Sequence, residues 1–171
     1  PYALMDLDDT LFQTLRKIDA WDLPTSDPKD LICATINKHG EPLSFMTQRQ
    51  ASFFNWLLAS TELIVVTARD RDEIERVKLP FSSWQVLTHG AIILNQDGKL
   101  QAQWQQHMYS ELKPLQDKLN QLSQLFSKHS SNDNSHLKFT AHSDNFNNGT
   151  DDEKLVIYLA IKHAQKNHQA L

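Results

Sequence analysis

The sequence predicts an α/β fold followed by a smaller α+β unit. Two short apolar runs, residues 2–7 (YALMDL) and 62–67 (ELIVVT), each end in a polar loop, and a helical pattern lies between them. A strand, a helix and a second strand in this order indicate a parallel pair of buried strands joined by a crossover. Beyond about residue 104 the pattern changes, so we place a boundary between residues 1–103 and residues 104–171.

The elements of the first region follow from local signals. Residues 47–60 carry apolar side chains at helical spacing, and Thr47 stands in the N-cap position. Residues near 30–46 alternate around Gly40 and predict a β-hairpin that forms a flap beside the first strand's carboxyl end. A second helix is predicted near residues 70–79. A strand, a break at His89-Gly90 and another hairpin around Asp97-Gly98 follow.

The second region begins with a long apolar stripe, which predicts the buried face of one helix of about twenty residues. The stripe consists of Met108, Leu112, Leu115, Leu119, Leu122, Leu125 and Phe126. A polar loop is expected at residues 127–135, and two strands are expected at residues 136–142 and 154–163. The second of these runs also fits a helix, but its β-branched residues favour a strand.

The composition excludes several classes of protein. A chain of 171 residues that is 40% hydrophobic has enough apolar material for a packed core. With 17 Lys+Arg against 21 Asp+Glu, the net charge of -4 argues against nucleic acid as a partner. The longest apolar runs are far shorter than the ~20 residues of a membrane span, so no membrane partner is expected. Cys33 is the single cysteine, which fits a reducing, cytoplasmic location.

Three aspartates follow the first predicted strand directly: Asp6, Asp8 and Asp9. Carboxylates crowded in this way repel one another, and a hard cation such as Mg²⁺ relieves the repulsion while bridging to a substrate phosphate. In an open α/β sheet, ligands bind at the carboxyl ends of the strands. The alternative is that Asp8 or Asp9 caps the turn that follows, and Asp9 on its own fits a turn residue.

The segment ALMDLDDTLF resembles the first motif of the haloacid dehalogenase (HAD) superfamily of phosphohydrolases, an apolar strand followed by D-x-D-x-T. Asp6, Asp8 and Thr10 stand at the motif positions. The resemblance implies a Rossmann-like three-layer core in which Asp6 is the nucleophile that takes the phosphoryl group. It also implies that Asp8 is the acid/base and that the Asp6 carboxylate and the Asp8 backbone carbonyl hold Mg²⁺.

The family's second motif is an apolar strand that ends in Thr or Ser, and Thr67 matches it. The resemblance implies that Thr67 binds the transferring phosphoryl oxygens. Arg69 either contacts phosphate or pairs with Asp72 or Glu73 in the next helix.

The run QVLTHGAIILNQDGKL is similar to the branch of the family with a large α+β cap of the C2 type, the Cof-like and sugar-phosphatase members. His89 stands where that branch commonly has Asn. The family's third-motif Lys and fourth-motif acidic strand end are not found after the cap, so the chain is expected to be incomplete at its C-terminus. Asp144, Asp151 and Asp152 fit a solvated acidic loop better than a substitute metal site.

These features predict a cytoplasmic, Mg²⁺-dependent phosphatase that hydrolyses a small phosphorylated metabolite, such as a sugar phosphate, through an aspartyl phosphate. The 171-residue chain itself is expected to be weak or inactive. Two alternatives stay open: a phosphomutase that uses the same intermediate, and a catalytically silent fragment that acts as a binding module.

Overall fold

The computed structural model describes residues 1–20, 30–130, 137–146 and 154–163. The chain is a mixed α/β protein with a partly parallel sheet. It divides into two units, Pro1–Gln101 and Ala102–Leu171. Among the helices described, none combines the length and the apolar character that crossing a membrane requires.

The first unit is built from short strands and helices. In chain order they are β1 (Tyr2–Met5), β2 (Gln13–Thr14), α1 (Leu15–Ala20), β3 (Ile32–Ile36), β4 (Pro42–Met46), α2 (Gln48–Ser60), β5 (Glu62–Val66), α3 (Arg71–Ile74), β6 (Gln85–Leu87), a 3₁₀ turn (Thr88–Gly90) and β7 (Ile92–Leu94).

The main sheet of the first unit has the strand order β1-β5-β6-β7. Strand β1 is parallel to β5, with Met5 opposite Val65, and β5 is parallel to β6. Strand β7 returns antiparallel to β6. The predicted parallel pair with a helical crossover is therefore confirmed, and the carboxyl ends of β1, β5 and β6 lie at one edge of the sheet.

The two faces of this sheet differ in burial. Leu63 and Val65 belong to the main core cluster together with Phe54 and Leu57 of α2. Successive side chains of a strand point to opposite faces, so Leu4 of β1 lies on the other face, where it is exposed. The sequence suggested strands that are buried on both sides, and this was wrong for β1. In the part of the chain that the structure describes, the second helical layer of the expected three-layer core is not seen.

The hairpin and the crossover helix form as the sequence predicts. Strands β3 and β4 are antiparallel, and β4 also pairs with β2. Gly40, at the hairpin turn, has a φ of +82°, which glycine adopts at little cost. At the start of α2, the Thr47 side chain accepts the Gln50 backbone N–H while the Gln50 side chain accepts the Thr47 N–H, which is a complete capping box.

The helix predicted near residues 70–79 is much shorter, because α3 has only four residues. The chain that follows α3 pairs with β3 instead. The Ile36 N–H donates to the Arg76 carbonyl and the Lys78 N–H donates to the Ala34 carbonyl. Val77 thereby forms a bridge with Thr35. Backbone groups that would form hydrogen bonds within a longer helix form them with the edge of β3 instead.

The turn predicted around Asp97-Gly98 is present, since the Asn95 N–H donates to the Lys99 carbonyl at 2.8 Å and Gly98 has a φ of +72°. The flanking residues Leu94 and Leu100 form a single antiparallel bridge rather than a long hairpin.

The second unit contains α4 (Ala102–Leu112), a 3₁₀ turn (Lys113–Leu115), α5 (Gln116–Ser130), β8 (Leu137–Asn145) and β9 (Lys154–His163). The two strands are antiparallel, so the preference for a strand at residues 154–163 is confirmed. The expected single helix was wrong, because Pro114 lacks an N–H and interrupts the helix. Residues 127–130 are helical rather than part of a loop.

The predicted stripe is not one buried face. Leu112 is buried, whereas Leu115, Leu122 and Leu125 are exposed. The contacts of α5 with the hairpin come from Phe126, which belongs to the stripe, and from Gln116, which does not. Phe126 stacks on Phe139 at a centroid distance of 5.5 Å, and the Gln116 side chain exchanges two hydrogen bonds with the Val156 backbone.

Candidate active site at the carboxyl edge of the main sheet

The segment that follows β1 is anchored by apolar side chains and exposes its acidic ones. Leu7, Leu11 and Phe12 are almost completely buried in the core cluster, whereas Asp6 and Asp8 are exposed. The Leu7 carbonyl accepts the N–H groups of Leu11 at 2.9 Å and Phe12 at 3.3 Å, which closes a tight turn. This anchoring places the backbone of both aspartates at the carboxyl edge of the sheet.

Thr10 orients the carboxylate of Asp6. The Thr10 hydroxyl donates to Oδ2 of Asp6 at 2.9 Å. The Thr10 backbone is held in turn by Gln50 of α2, whose side-chain amide donates to the Thr10 carbonyl at 3.3 Å. Gln50 thus supports the loop from outside the motif, a role that the sequence did not indicate.

Asp8 is held by Arg69 in a bidentate ion pair. Nε of Arg69 donates to Oδ2 of Asp8 at 2.7 Å, and Nη2 donates to Oδ1 at 2.8 Å. The third nitrogen, Nη1, donates to the Glu73 carbonyl at 3.2 Å. Neither of the carboxylate partners weighed from the sequence, Asp72 and Glu73, is the one that the guanidinium contacts. Because β1 and β5 are adjacent, Asp8 lies close to the guanidinium and binds it instead.

Asp9 is a turn residue, as one of the alternatives held. Its φ of +64° lies in the left-handed region, and its N–H donates to the Phe12 carbonyl at 2.8 Å. Its carboxylate pairs with Lys17 of α1. Asp9 is therefore part of the turn and its carboxylate binds α1, apart from the ion pair of Asp8 and Arg69.

Thr67 follows β5 at the same edge and is buried. Its hydroxyl oxygen accepts the Arg69 backbone N–H at 3.2 Å, so the side chain shapes the loop that carries Arg69. The next segment, Thr88–Gly90, lies against this loop: the Thr88 N–H donates to the Arg69 carbonyl at 2.8 Å, and the His89 N–H donates to the Thr67 carbonyl at 3.3 Å.

The segment Thr88–Gly90 is locally strained. All three residues have positive φ, at +52°, +55° and +96°. This is costly for a β-branched residue such as Thr88. The Thr88 hydroxyl is also buried, and it has no hydrogen-bond partner among the residues described. The sequence indicated a break at His89-Gly90 but did not single out Thr88.

The carboxylates at this edge form only a small donor set for Mg²⁺. Within the described ranges, no group of three or more His, Cys, Asp or Glu side chains could hold a metal ion. Asp6 and Asp8 nevertheless fit the kind of magnesium site in which one or two carboxylates and a substrate phosphate bind an ion that keeps several waters.

The acidic residues of the second unit do not add to this site. Asp144 is buried within β8 rather than placed in a solvated loop, which corrects the prediction for that residue. Asp151 and Asp152 lie outside the described residues.

No family model matches the sequence, and no curated protein is significantly similar to it.

Proposed function

We propose that this chain carries the nucleophile-bearing part of a Mg²⁺-dependent phosphatase of the HAD type, with a Rossmann-like core and a C2-type cap. The proposed substrate is a small phosphorylated metabolite. One observation supports the proposal most: the residues of the D-x-D-x-T pattern and the loop of Thr67 and Arg69 stand at the carboxyl edge of adjacent parallel strands, joined by the pair between Asp8 and Arg69.

In the proposed reaction, a carboxylate oxygen of Asp6 attacks phosphorus and forms an O–P bond. The P–O ester bond breaks, and the leaving oxygen takes a proton from the Asp8 carboxyl group. Asp8, now ionised, accepts a proton from a water molecule whose oxygen attacks the phosphorus. The bond between Asp6 and phosphorus then breaks and inorganic phosphate leaves. A magnesium ion would be held by the Asp6 carboxylate and the Asp8 backbone carbonyl, and its positive charge would offset the repulsion between the nucleophile and the phosphate.

The side chains around Asp6 and Asp8 have distinct parts in this scheme. Thr10 holds one oxygen of Asp6, which limits rotation of the attacking carboxylate. The Thr67 hydroxyl, whose oxygen accepts the Arg69 N–H, supplies its own O–H as a hydrogen-bond donor for a phosphoryl oxygen. Leu7 and Phe12 keep the loop in place from below, so the two acids approach the substrate from a rigid base.

The test is hydrolysis of p-nitrophenyl phosphate with Mg²⁺ by the wild-type chain and by Asp6→Asn. We expect slow hydrolysis that EDTA abolishes and that Asp6→Asn lowers by at least about a thousandfold, because the nucleophile is lost. Mass spectrometry of the wild-type chain is expected to detect a phosphoryl group on Asp6. The control is Asp9→Asn, which removes an equal charge three residues away and keeps the activity. Activity that survives Asp6→Asn or EDTA contradicts the proposal.

A binding module without turnover is the second candidate. It is favoured by the lack of a third acidic ligand in the residues that the structure covers. Binding of inorganic phosphate by a chain that never acquires a phosphoryl group on Asp6 is the result expected of such a module.

A further inference from the structure

The Arg69 guanidinium has two contacts besides Asp8, whereas the Asp8 side chain is half exposed. The guanidinium carbon lies 5.3 Å from the centroid of the buried Phe12 ring, and Nη1 donates to the Glu73 carbonyl. The Arg69 side chain is only 13% exposed. The Asp8 side chain is 49% exposed. Arg69 is therefore the stationary member of the ion pair, and Asp8 is the member with room to move.

The edge of the guanidinium that binds Asp8 is also the edge that suits phosphate. The two nitrogens that donate to Asp8, Nε and Nη2, form a planar fork, and this fork matches two oxygens of a carboxylate or of a phosphoryl group. Its other terminal nitrogen is already engaged with Glu73. Asp8 and a phosphoryl group therefore compete for one pair of donors.

The pair is also incompatible with the first proton transfer. An ionised carboxylate in such a fork accepts hydrogen bonds on both oxygens and donates none. In the proposed reaction Asp8 has to donate a proton to the leaving oxygen, so it must first leave the fork.

We propose that Arg69 is a positioning residue that holds Asp8 while no substrate is bound and passes its fork to the phosphoryl group when the substrate binds. The exchange frees Asp8 to turn toward the leaving oxygen. The exchange itself changes only hydrogen bonds. Once it has left the fork, the Asp8 carboxylate takes up a proton from the solvent, and this is the proton that it donates to the leaving oxygen. The inference rests on the proposed function, and it deepens that function by making phosphate binding the event that releases the acid/base.

The exchange predicts that Asp8 weakens phosphate binding through Arg69. The apparent affinity for a ligand is reduced by the fraction of protein in which the binding group is available. If the fork is free in about a tenth of the molecules, releasing it tightens binding about tenfold. Inorganic phosphate without metal is the probe, and binding is followed by NMR of the Arg69 Nε–H signal and by calorimetry.

We expect Asp8→Asn to bind phosphate about tenfold more tightly than the wild-type chain. Asp9→Asn, the matched control for loss of a charge beside the site, is expected to change the affinity less than about twofold, because charge alone acts weakly at exposed positions. In the wild-type chain, saturating phosphate is expected to shift the Arg69 Nε–H signal, and Asp8→Asn is expected to shift it without phosphate.

A double-mutant cycle separates the exchange from simple charge repulsion. When Arg69→Ala is already present, Asp8→Asn is expected to leave phosphate affinity unchanged within about twofold. Arg69→Lys keeps the charge but lacks the planar fork of donors. It replaces Arg69→Ala in the double-mutant cycle if Arg69→Ala fails to fold. The inference is overturned if Asp8→Asn binds no more tightly than the wild type, if the gain persists without the fork, or if neither protein binds phosphate.

These results are distinguishable from failure of the proposed function. Turnover that depends on Asp6, with no coupling between Asp8 and Arg69 in the cycle, leaves the phosphatase proposal standing and removes the exchange. Coupling in phosphate binding without a phosphoryl group on Asp6 supports the competition and removes the phosphatase.

Discussion

The two faces of the main sheet carry similar side chains in very different surroundings. Leu63 of β5 is 4% exposed and Val65 is completely buried. On the opposite face, Leu4 is 72% exposed and Tyr2 is 75% exposed, although both belong to the strand that pairs with β5. The apolar content of these strands does not distinguish the two faces.

The topology of the sheet explains the difference. Strands β1, β5 and β6 succeed one another in a single direction across the sheet, and parallel crossovers are almost always right-handed. Crossovers that advance in one direction therefore lie on the same face. The helix α2, in the first crossover, and Leu79 and Phe81, in the second, pack on one core cluster. The crossovers thus cover the face of Leu63 and Val65, whereas on the opposite face Leu4 of β1 is exposed and Ile64 of β5 is half-buried.

The largest expected effect on stability comes from shortening a leucine on the covered face, the face of the main sheet that carries Leu63 and Val65. Leu63→Ala is expected to lower the free energy of unfolding of the first unit by about 3 kcal/mol, because it removes buried methyl groups and leaves a cavity. Urea unfolding followed by tryptophan fluorescence measures the change. A loss below about 1 kcal/mol would show that Leu63 is not packed as described.

Local signals in the sequence predicted the pieces of the covered face well. Thr47 with Gln50 marks the start of α2, and Gly40 marks the hairpin turn, because both signals depend on residues within one turn of each other. The length of α3 depends on the distant strand β3, which pairs with residues after α3. A pattern confined to residues 70–79 does not contain that information.

The contacts of the candidate site also divide into those between residues close in sequence, which could be predicted, and those between distant residues, which could not. Asp6 and Thr10 are four residues apart, and the motif spacing alone placed them together. Asp8 and Arg69 are 61 residues apart, so their pairing depends on the adjacency of β1 and β5 and on the exact loop after β5. Thr88 lies at the site because its backbone N–H donates to the Arg69 carbonyl. The sequence does not indicate such a contact, because every residue except proline has a backbone N–H.

A smaller effect is expected at the start of α2, the helix that covers the buried face. Thr47→Ala removes the hydroxyl that caps the helix and is expected to cost about 1 kcal/mol of unfolding free energy. Ser52→Ala, at an exposed position in the same helix, is the control and is expected to change stability by less than about 0.5 kcal/mol. Equal effects of the two substitutions would exclude a stabilising role for the capping box.

The smallest effect on stability is expected on the open face, the face of the main sheet that carries Tyr2 and Leu4. There, Leu4→Ala is the matched partner of Leu63→Ala. The substitution removes the same atoms, but Leu4 is mostly in contact with water, so the expected change in unfolding free energy is below about 0.5 kcal/mol. The measurement is the same urea titration, run at two protein concentrations.

The concentration comparison decides how the open face behaves in solution. If Leu4→Ala costs as much as Leu63→Ala and the cost grows with protein concentration, a second copy of the chain covers the face, because association adds stability by mass action. A large cost that is independent of concentration would mean that the chain covers Leu4 itself. A small cost at both concentrations leaves the contrast between the faces as the structure has it, with burial set by the direction of the crossovers.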